Sequence, residues 1–524
     1  MKCAMSTSFC QPLTQGDFLT ELKLQICMAS QVCTQMLCKK SVDIISFIFV
    51  GHLASTHYLS AAGIATVTAN VFGNSFIMGL AGPLSTLCSQ AYGARNFKAL
   101  KLSFQQAIAI MTVLCSLITL LWCFSLPIMG FLGQSRAIAQ DASKFLLCLI
   151  PALYTYAYAV CIQFCLYAQQ KPRVVMIISI VIATMHPFWC YFFMKTLNIG
   201  FLGAACAIST SRTIELLCLV SYMSFSVDED ILILQQIKWT REVLTGWSVY
   251  FRLGAPNILM MSEWWASETI IFMAGFLNNP DVQIASLSIF HNMGTICFML
   301  PRGLETAGCS RVGNALGKNE ASSARSAAIV CVFVQLVVSI TQSSVLVAGR
   351  HVVGSVFLSA NDMDAYQRKL IATLMLILAV YTFADGLQCA ISGLLKGAGK
   401  QRLCGPIVVC CYFLVALPVA AVLTFRYHFG VIGLAIGTTV GTWLHFLCYA
   451  VVLYRVNWTA EAEHALATLE LIEYRRVVQE SVAEEKANGV DGIGLLLGTG
   501  HHRACSSSSS SSSWGSVSCT PAAE

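Results

Sequence analysis

Of the 524 residues, 56% are hydrophobic and only 11% are charged, and the mean hydropathy is +0.69. A soluble globular domain needs far more surface charge, so the composition excludes one. The formal net charge of +6 is not gathered into a basic patch, and no nucleic-acid partner is expected.

The first 25 residues are polar and mixed and read as a cytoplasmic N-terminus without the charged start, short apolar core and cleavage site of a signal peptide. Apolar stretches then follow one another, each near the roughly twenty residues that cross a hydrocarbon core. Spans are predicted at 26–50, 64–88, 103–127, 144–168, 174–196 and 201–225, and, after a charged link at 226–246, at 247–277, 282–304, 325–348, 368–395, 403–424 and 430–454. Backbone amides in lipid must be paired internally, and these runs are too long and evenly apolar for barrel strands. The expected fold is therefore all-α, a polytopic membrane protein of about twelve transmembrane helices. A cytoplasmic tail is predicted at 456–524, helical through AEAEHALATLELIEYRRVVQESVAEEKA and disordered in its serine-rich end, from Ser506 to Ser513.

The 24 cysteines scatter through apolar runs without CxxC pairs, as small interior side chains do, and no metal site is expected. There is no HExxH or GxSxG string, so the chain is not read as an enzyme and no catalytic residue or cofactor is assigned.

With the N-terminus inside, the even-numbered links are cytoplasmic, and they carry Arg95, Lys98, Lys101, Lys171, Arg173, Lys238, Arg241, Arg311, Lys318, Lys396, Lys400 and Arg402. The links after spans one and seven have no Lys or Arg, although Arg136, Lys144, Arg350, Arg368 and Lys369 blur the contrast elsewhere. Both termini are thus expected in the cytoplasm. The two halves also match. GFLGA at Gly200 answers GVIGLA at Gly430, YAQQKPR at Tyr167 answers KGAGKQR at Lys396, and QAYGARN at Gln90 answers NALGKNE at Asn314. The expected architecture is two pseudo-symmetric six-helix lobes in parallel orientation, 26–225 and 247–455.

VGHL at Val50, LSTLCSQAYGARN from Leu84, GAPNILMMSEWWASE from Gly254, RVGNALGKN from Arg311 and QCAISGLLKGAGKQ from Gln388 occur in one order and spacing. On these strings the chain resembles the multidrug and toxic compound extrusion family, eukaryotic branch, from about Leu22 to about Leu469. The resemblance implies a V of two lobes and a secondary antiporter that exports cationic organic compounds and xenobiotics. Protons, rather than sodium, are the coupling ion it implies. Small cationic substrates and the bilayer are the expected partners of a monomer in the plasma membrane or in a vacuolar or other organelle membrane.

Span seven carries Glu263 and Glu268 inside MMSEWWASETIIFMAG. A lone carboxylate in hydrocarbon costs several kcal/mol or takes up a proton, so such residues are read first as functional. Five residues apart on a helix is about 140° of separation, so the two are not expected to share one surface. The resemblance makes Glu263 the leading proton and cation site, with Asp385 in span ten as the second acidic group. Trp264 and Trp265 offer aromatic faces to a cation, with packing the alternative for Trp265. Asn70, Asn292 and Gln90 complete the expected substrate contacts, and His291 beside Asn292 reads as a core histidine or a proton relay.

Span one departs from the family, with Gln31 where relatives usually have Pro and with Lys39 and Lys40 where they have no charge. Asp43 follows these lysines by four and three residues, so a helix gathers all three into a buried ion pair, with Asp43 either a proton site or a counter-ion for Lys40. Aligned on GHL, the proton-binding Asp of bacterial members falls at Ser46. Relatives usually carry an acid at Ser85, while Glu305 stands where they have a small polar residue. Glu305 is expected either to replace that acid from the pseudo-symmetric place or to pair with Arg302 or Arg311. Buried lysines also fit a second reading, an exporter of organic anions or conjugates of the citrate or flavonoid type, or a flippase for lipid-linked sugars on a related fold.

Overall fold

The computed structural model describes residues 15–53, 56–131, 135–226, 241–244, 247–277, 280–354 and 365–487, and, apart from 15–17, 56, 241–242 and 280–281, their side chains up to Ile472. Expectations for residues 1–14, for most of the link at 226–246 and for the serine-rich end lie outside them. The chain divides into two units, Met1–Ile472 and Glu473–Glu524, and the architecture that follows belongs to the first.

All regular structure among the described residues is helical. The N-terminal lobe holds α1 (Gln15–Gly51), α2 (Thr56–Ala69), α3 (Ser75–Gly93), α4 (Phe97–Cys123), α5 (Ser125–Phe131), α6 (Arg136–Cys148), α7 (Ile150–Ala168), α8 (Pro172–Tyr191) and α9 (Leu202–Phe225). The C-terminal lobe holds α10 (Trp247–Met260), α11 (Ser262–Ala274), α12 (Pro280–Gly317), α13 (Ala321–Gly349), α14 (Ala365–Gly397), α15 (Gln401–Val409), α16 (Leu417–Ala421) and α17 (Val431–Tyr454), and α18 (Trp458–Ala487) follows.

Ten helical stretches among the described residues are long and apolar enough to cross a membrane. The first and seventh predicted spans are helical too, yet stand apart. In α1 the run is broken by Gln25, Gln31, Gln35, Lys39, Lys40 and Asp43. The seventh is interrupted at Met261, where the Met261 amide donates to the Ile258 carbonyl (2.9 Å) and the Trp264 amide to the Met261 carbonyl (3.0 Å), three-residue bonds in place of the four-residue pattern. One continuous helix was expected there. π-turns at Asn70–Asn74, Phe192–Thr196, Cys410–Ala416 and Val422–Arg426 carry other spans through without a break.

The repeat seen in the sequence is repeated in the backbone. Helices α3, α7, α12 and α14 end in the same turn, with left-handed Arg95 (φ 55°), Gln170 (φ 59°), Asn319 (φ 62°) and Gly399 (φ 74°). In each, the next amide reaches five carbonyls back: Asn96 to Ala91, Lys171 to Leu166, Glu320 to Ala315 and Lys400 to Leu395, at 2.8–2.9 Å. The π-turns after α8 and α16 likewise lead into matching left-handed pairs, Asn198 with Gly200 and His428 with Gly430.

These four turns lie together, and there the lobes are joined. A Cβ added to Gly93 would overlap the Asn314 carbonyl, and one on Gly317 the Gln90 carbonyl, so the ends of α3 and α12 meet backbone to backbone. The Asn314 side chain donates to the Ala168 carbonyl (3.1 Å), Ser310 to Tyr167 (2.7 Å) and Thr86 to Lys396 (2.7 Å). Arg311 grips Glu21 of α1 through two bonds, at 2.9 and 2.5 Å. At the opposite end each lobe is tied within itself, by His57 to Asp141 in one and by Gln283 to the Val431 amide in the other. Away from that end the lobes also touch along α1 and α12, where Cys33 donates to the Met299 carbonyl (3.0 Å), and along α3 and α10, where Gly79 lies against Ile258.

Candidate functional site

Two large cavities are lined by residues of both lobes. One, of about 290 Å³, is walled mainly by α1 and α7, with Lys39, Lys40, Asp43 and, from α9, Arg212 in its lining, together with Met261, Trp264 and Arg302 of the C-terminal lobe. The other, of about 240 Å³, is walled by α11, α12 and α14, with Glu263, Glu268, His291, Asn292, Tyr381 and Asp385. They share Lys40, Asn70, Trp264, Phe298 and Met299 as a common waist.

The carboxylates of the second chamber are held without a cation. The Gln388 amide nitrogen, one turn along α14 from Asp385, donates to Asp385 Oδ1 at 3.0 Å and to Glu263 Oε1 at 3.4 Å. Tyr412, in the π-turn after α15, donates to the same Glu263 oxygen at 2.7 Å and exchanges a 3.0 Å bond with Thr442. Among the described residues no Lys, Arg or His lies within ion-pair distance of Glu263, Glu268 or Asp385. Gln388 and Tyr412 were not anticipated. They come from distant helices and no local spacing marks them.

Two other buried carboxylates, Glu215 and Glu305, are each held by two cations. Glu215, on α9, pairs with Lys39 at 3.3 Å and with Arg212 at 3.2 Å, and Gln163 bridges Lys39 (2.8 Å) to Glu215 (3.0 Å). Both cations also stand over the Tyr156 ring, at 5.7 and 5.3 Å. This corrects the expectation for span one. Asp43 forms no ion pair with Lys39 or Lys40 among the described residues, because Lys39 extends across the lobe to α9 rather than along its own helix. Asp43 stands in the chamber wall, and Ser46, one turn on, bonds His186 at 2.8 Å. Arg212 and Glu215, three apart in an apolar helix, were missed, although that spacing is itself a readable signal.

Glu305 pairs with Arg302 and with Lys396 (2.5 Å), whereas Arg311 belongs to Glu21. It does face the same small cavity as Ser85, about 40 Å³ in volume, from the pseudo-symmetric side. A cavity of about 30 Å³ then runs from this cluster past Gln388 to Glu263.

Two further expectations are corrected. Glu263 and Glu268 line one chamber after all, because it takes in residues 263, 264, 267, 268, 270 and 271, an arc of about 160° of α11. Gln90 is in neither large chamber. It is buried at the joined end, donating to the Gly397 carbonyl at 3.0 Å, so its amide is used in holding the lobes together. Trp264 is exposed in the waist, edge-on to Phe298 at 6.3 Å, while Trp265 packs on the other lobe against Phe76 and donates to Ser75 at 3.3 Å. Asn70 accepts from Asn74 (2.8 Å) and Asn292 donates to Ser288 of its own helix (2.9 Å), both at the chamber walls.

A family model described as MatE matches residues 32–192 and 257–422. The chain is 32% identical over 454 residues to Protein DETOXIFICATION 16 of Arabidopsis thaliana, across 86% of this chain and 91% of the relative, and 31% identical to Protein DETOXIFICATION 17 of the same plant, across 85% and 92%. Among solved structures it is similar to the eukaryotic MATE transporter AtDTX14, with a TM-score of 0.81 and 28% identity, over 86% of this chain and all of that one.

Proposed function

The chain belongs to the MatE family of membrane transporters, and from that premise we propose that it is an antiporter exporting organic cations in exchange for protons, with Glu263 and Asp385 as the shared proton and cation site. The supporting observation is the contrast among its buried acids: Glu215 and Glu305 each meet two cations, whereas Glu263 and Asp385 share one neutral amide and have no counter-charge of their own. Two such carboxylates hold either a proton or a positively charged ligand, and the two ligands exclude one another. That exclusion is the coupling, because a ligand moves an equilibrium only by its differential affinity for the two states.

In this reading Trp264 presents its face to the cation at the waist, Glu268 adds negative potential, and Asn70 and Asn292 contact polar parts of the cargo. Asp43 is a second proton site in the other lobe. The basic links support a reading in which the joined end and both termini are cytoplasmic and the chambers face outward, in the plasma membrane or in an organelle membrane. The cations of the first chamber favour a second reading, export of organic anions.

The test is transport by the purified chain in liposomes with an imposed pH or sodium gradient, with tetraalkylammonium and citrate as competitors. Antiport of a fluorescent cation driven by pH, blocked by tetraalkylammonium and lost in Glu263→Gln with insertion intact, is the expected result. Undiminished efflux by Glu263→Gln would overturn the assignment, and competition by citrate alone would favour the second reading.

A further inference from the structure

The two chambers carry opposite charge, and one lysine stands between them. Lys40 lines both and forms no ion pair or hydrogen bond among the described residues. In the lining of the first chamber, Lys39, Lys40, Arg212 and Arg302 stand with a single carboxylate, Asp43. The acids that pair with them from behind, Glu215 and Glu305, are each shared between two cations, Glu215 by Lys39 and Arg212 and Glu305 by Arg302 and Lys396, so the chamber wall stays positive. On the other side stand Glu263, Glu268 and Asp385 with no cation paired to them. The waist joining the two sides is formed by Trp264, Phe298 and Met299, with Asn70.

This arrangement separates ligands by charge pattern. One aromatic ring of the first chamber, Tyr156, is already covered by Lys39 and Arg212, so an organic cation entering there meets positive charge over that face. A dianion long enough to span both chambers meets the acid pair, and a dication meets Lys40, and like charges brought together in a desolvated cleft are strongly penalised. At about 290 and about 240 Å³ the chambers are near the lower end of the size usual for a drug-sized ligand, and a larger one extends through the waist. A molecule with a cationic end and an anionic end satisfies both walls.

We infer that Lys40 is an anion subsite, and that the preferred cargo is an amphoteric organic molecule whose cationic end lies on Glu263 and Asp385 and whose carboxylate-type end lies at Lys40. The inference rests on the proposed cation site and adds to it the second charge of the substrate. Lys40 is a specificity-determining residue, since its ammonium supplies the term that distinguishes an amphoteric ligand from a plain cation.

The test compares a zwitterionic rhodamine bearing a free carboxylate with its methyl ester, a net cation that differs only in the masked carboxylate. Binding to the purified full chain in detergent is read by fluorescence anisotropy, so it depends on neither gradient nor turnover. Wild type should bind the free acid about tenfold more tightly than the ester. Lys40→Met should reverse the preference, weakening the acid and tightening the ester by removing a repulsive charge, and Lys40→Arg should keep it. Equal weakening of both dyes by Lys40→Met would mean a structural lysine, and an ester bound as tightly as the acid by wild type would mean no anion subsite; either overturns the inference. Glu263→Gln separates the two proposals. If it leaves both dyes bound as in wild type, the cation-site reading fails, whereas the difference between acid and ester still reports on Lys40.

Discussion

Glu263 and Asp385, on different helices, accept hydrogen bonds from one and the same nitrogen of Gln388, at 3.4 and 3.0 Å. No arginine, lysine or histidine among the described residues completes the group. Further along the same chain, Arg302 and Lys396 are both spent on Glu305.

That difference in partners predicts opposite effects of the same chemical change. Glu305→Gln leaves Arg302 and Lys396 buried around a neutral group, a loss of about 3–5 kcal/mol. Glu263→Gln removes one of two like charges and should not lower the melting temperature. Thermal unfolding of both variants in detergent checks this. The expectation fails if Glu263→Gln is the more damaging.

Tyr412 donates to Glu263 at 2.7 Å and also bonds Thr442. Tyr412→Phe should weaken cation binding by about 1 kcal/mol, roughly fivefold in KM, with little change in folding. Combined with Gln388→Leu, which removes the other donor to the same oxygen, the losses should depart from additivity by about 0.5–3 kcal/mol. A double-mutant cycle on initial uptake rates measures this; additive effects would show that the two donors act on Glu263 independently.

The joined end depends on backbone contact at Gly93. Gly93→Ala puts a methyl against the Asn314 carbonyl, so the ends of α3 and α12 must separate. Spin labels at the exposed Lys98 and Lys318 should report a longer and broader distance than in wild type, and turnover should fall while dye binding persists. An unchanged distance distribution would contradict the contact.

On α6, ahead of the fourth span, Asp141 accepts from His57 at 3.0 Å and Lys144 at 3.1 Å. Partial burial works against its charged form, but the bonds from His57 and Lys144 outweigh it and hold the carboxyl below its usual range. A depressed carboxyl stabilises the fold above its unfolded pKa of about 3.9, and this contribution disappears as pH falls through the lower folded value. Asp141→Asn should therefore melt below wild type at pH 7, with the gap closing under acid. A gap that widens on acidification would rule this out.

Most of the scaffold was legible because hydrocarbon leaves a chain few options. The last three predicted spans begin and end within three residues of the observed helices, and the duplicated strings returned as duplicated turns. The break at Met261 was not legible, since MMSEWW carries no glycine or proline at that point. Glu263 and Asp385 stood out as isolated acids in apolar runs, but what makes them differ from Glu305 lies on other helices. Helical spacing likewise assigned Lys39 to Asp43, four residues away. Glu215 won because it comes with Gln163 and Arg212 already arranged around it, a set that only packing brings together.

The interruption at Met261 links chemistry to mechanics. On one side α10 is clamped to the N-terminal lobe, its Tyr250 donating to the Leu80 carbonyl at 2.6 Å, and on the other α11 carries Glu263, which is tethered to α14 and the turn after α15. Any relative movement of the two halves would act on both ends of this rod, and its one interruption is at Met261. Glu263, two residues beyond, is the side chain such a movement would turn first.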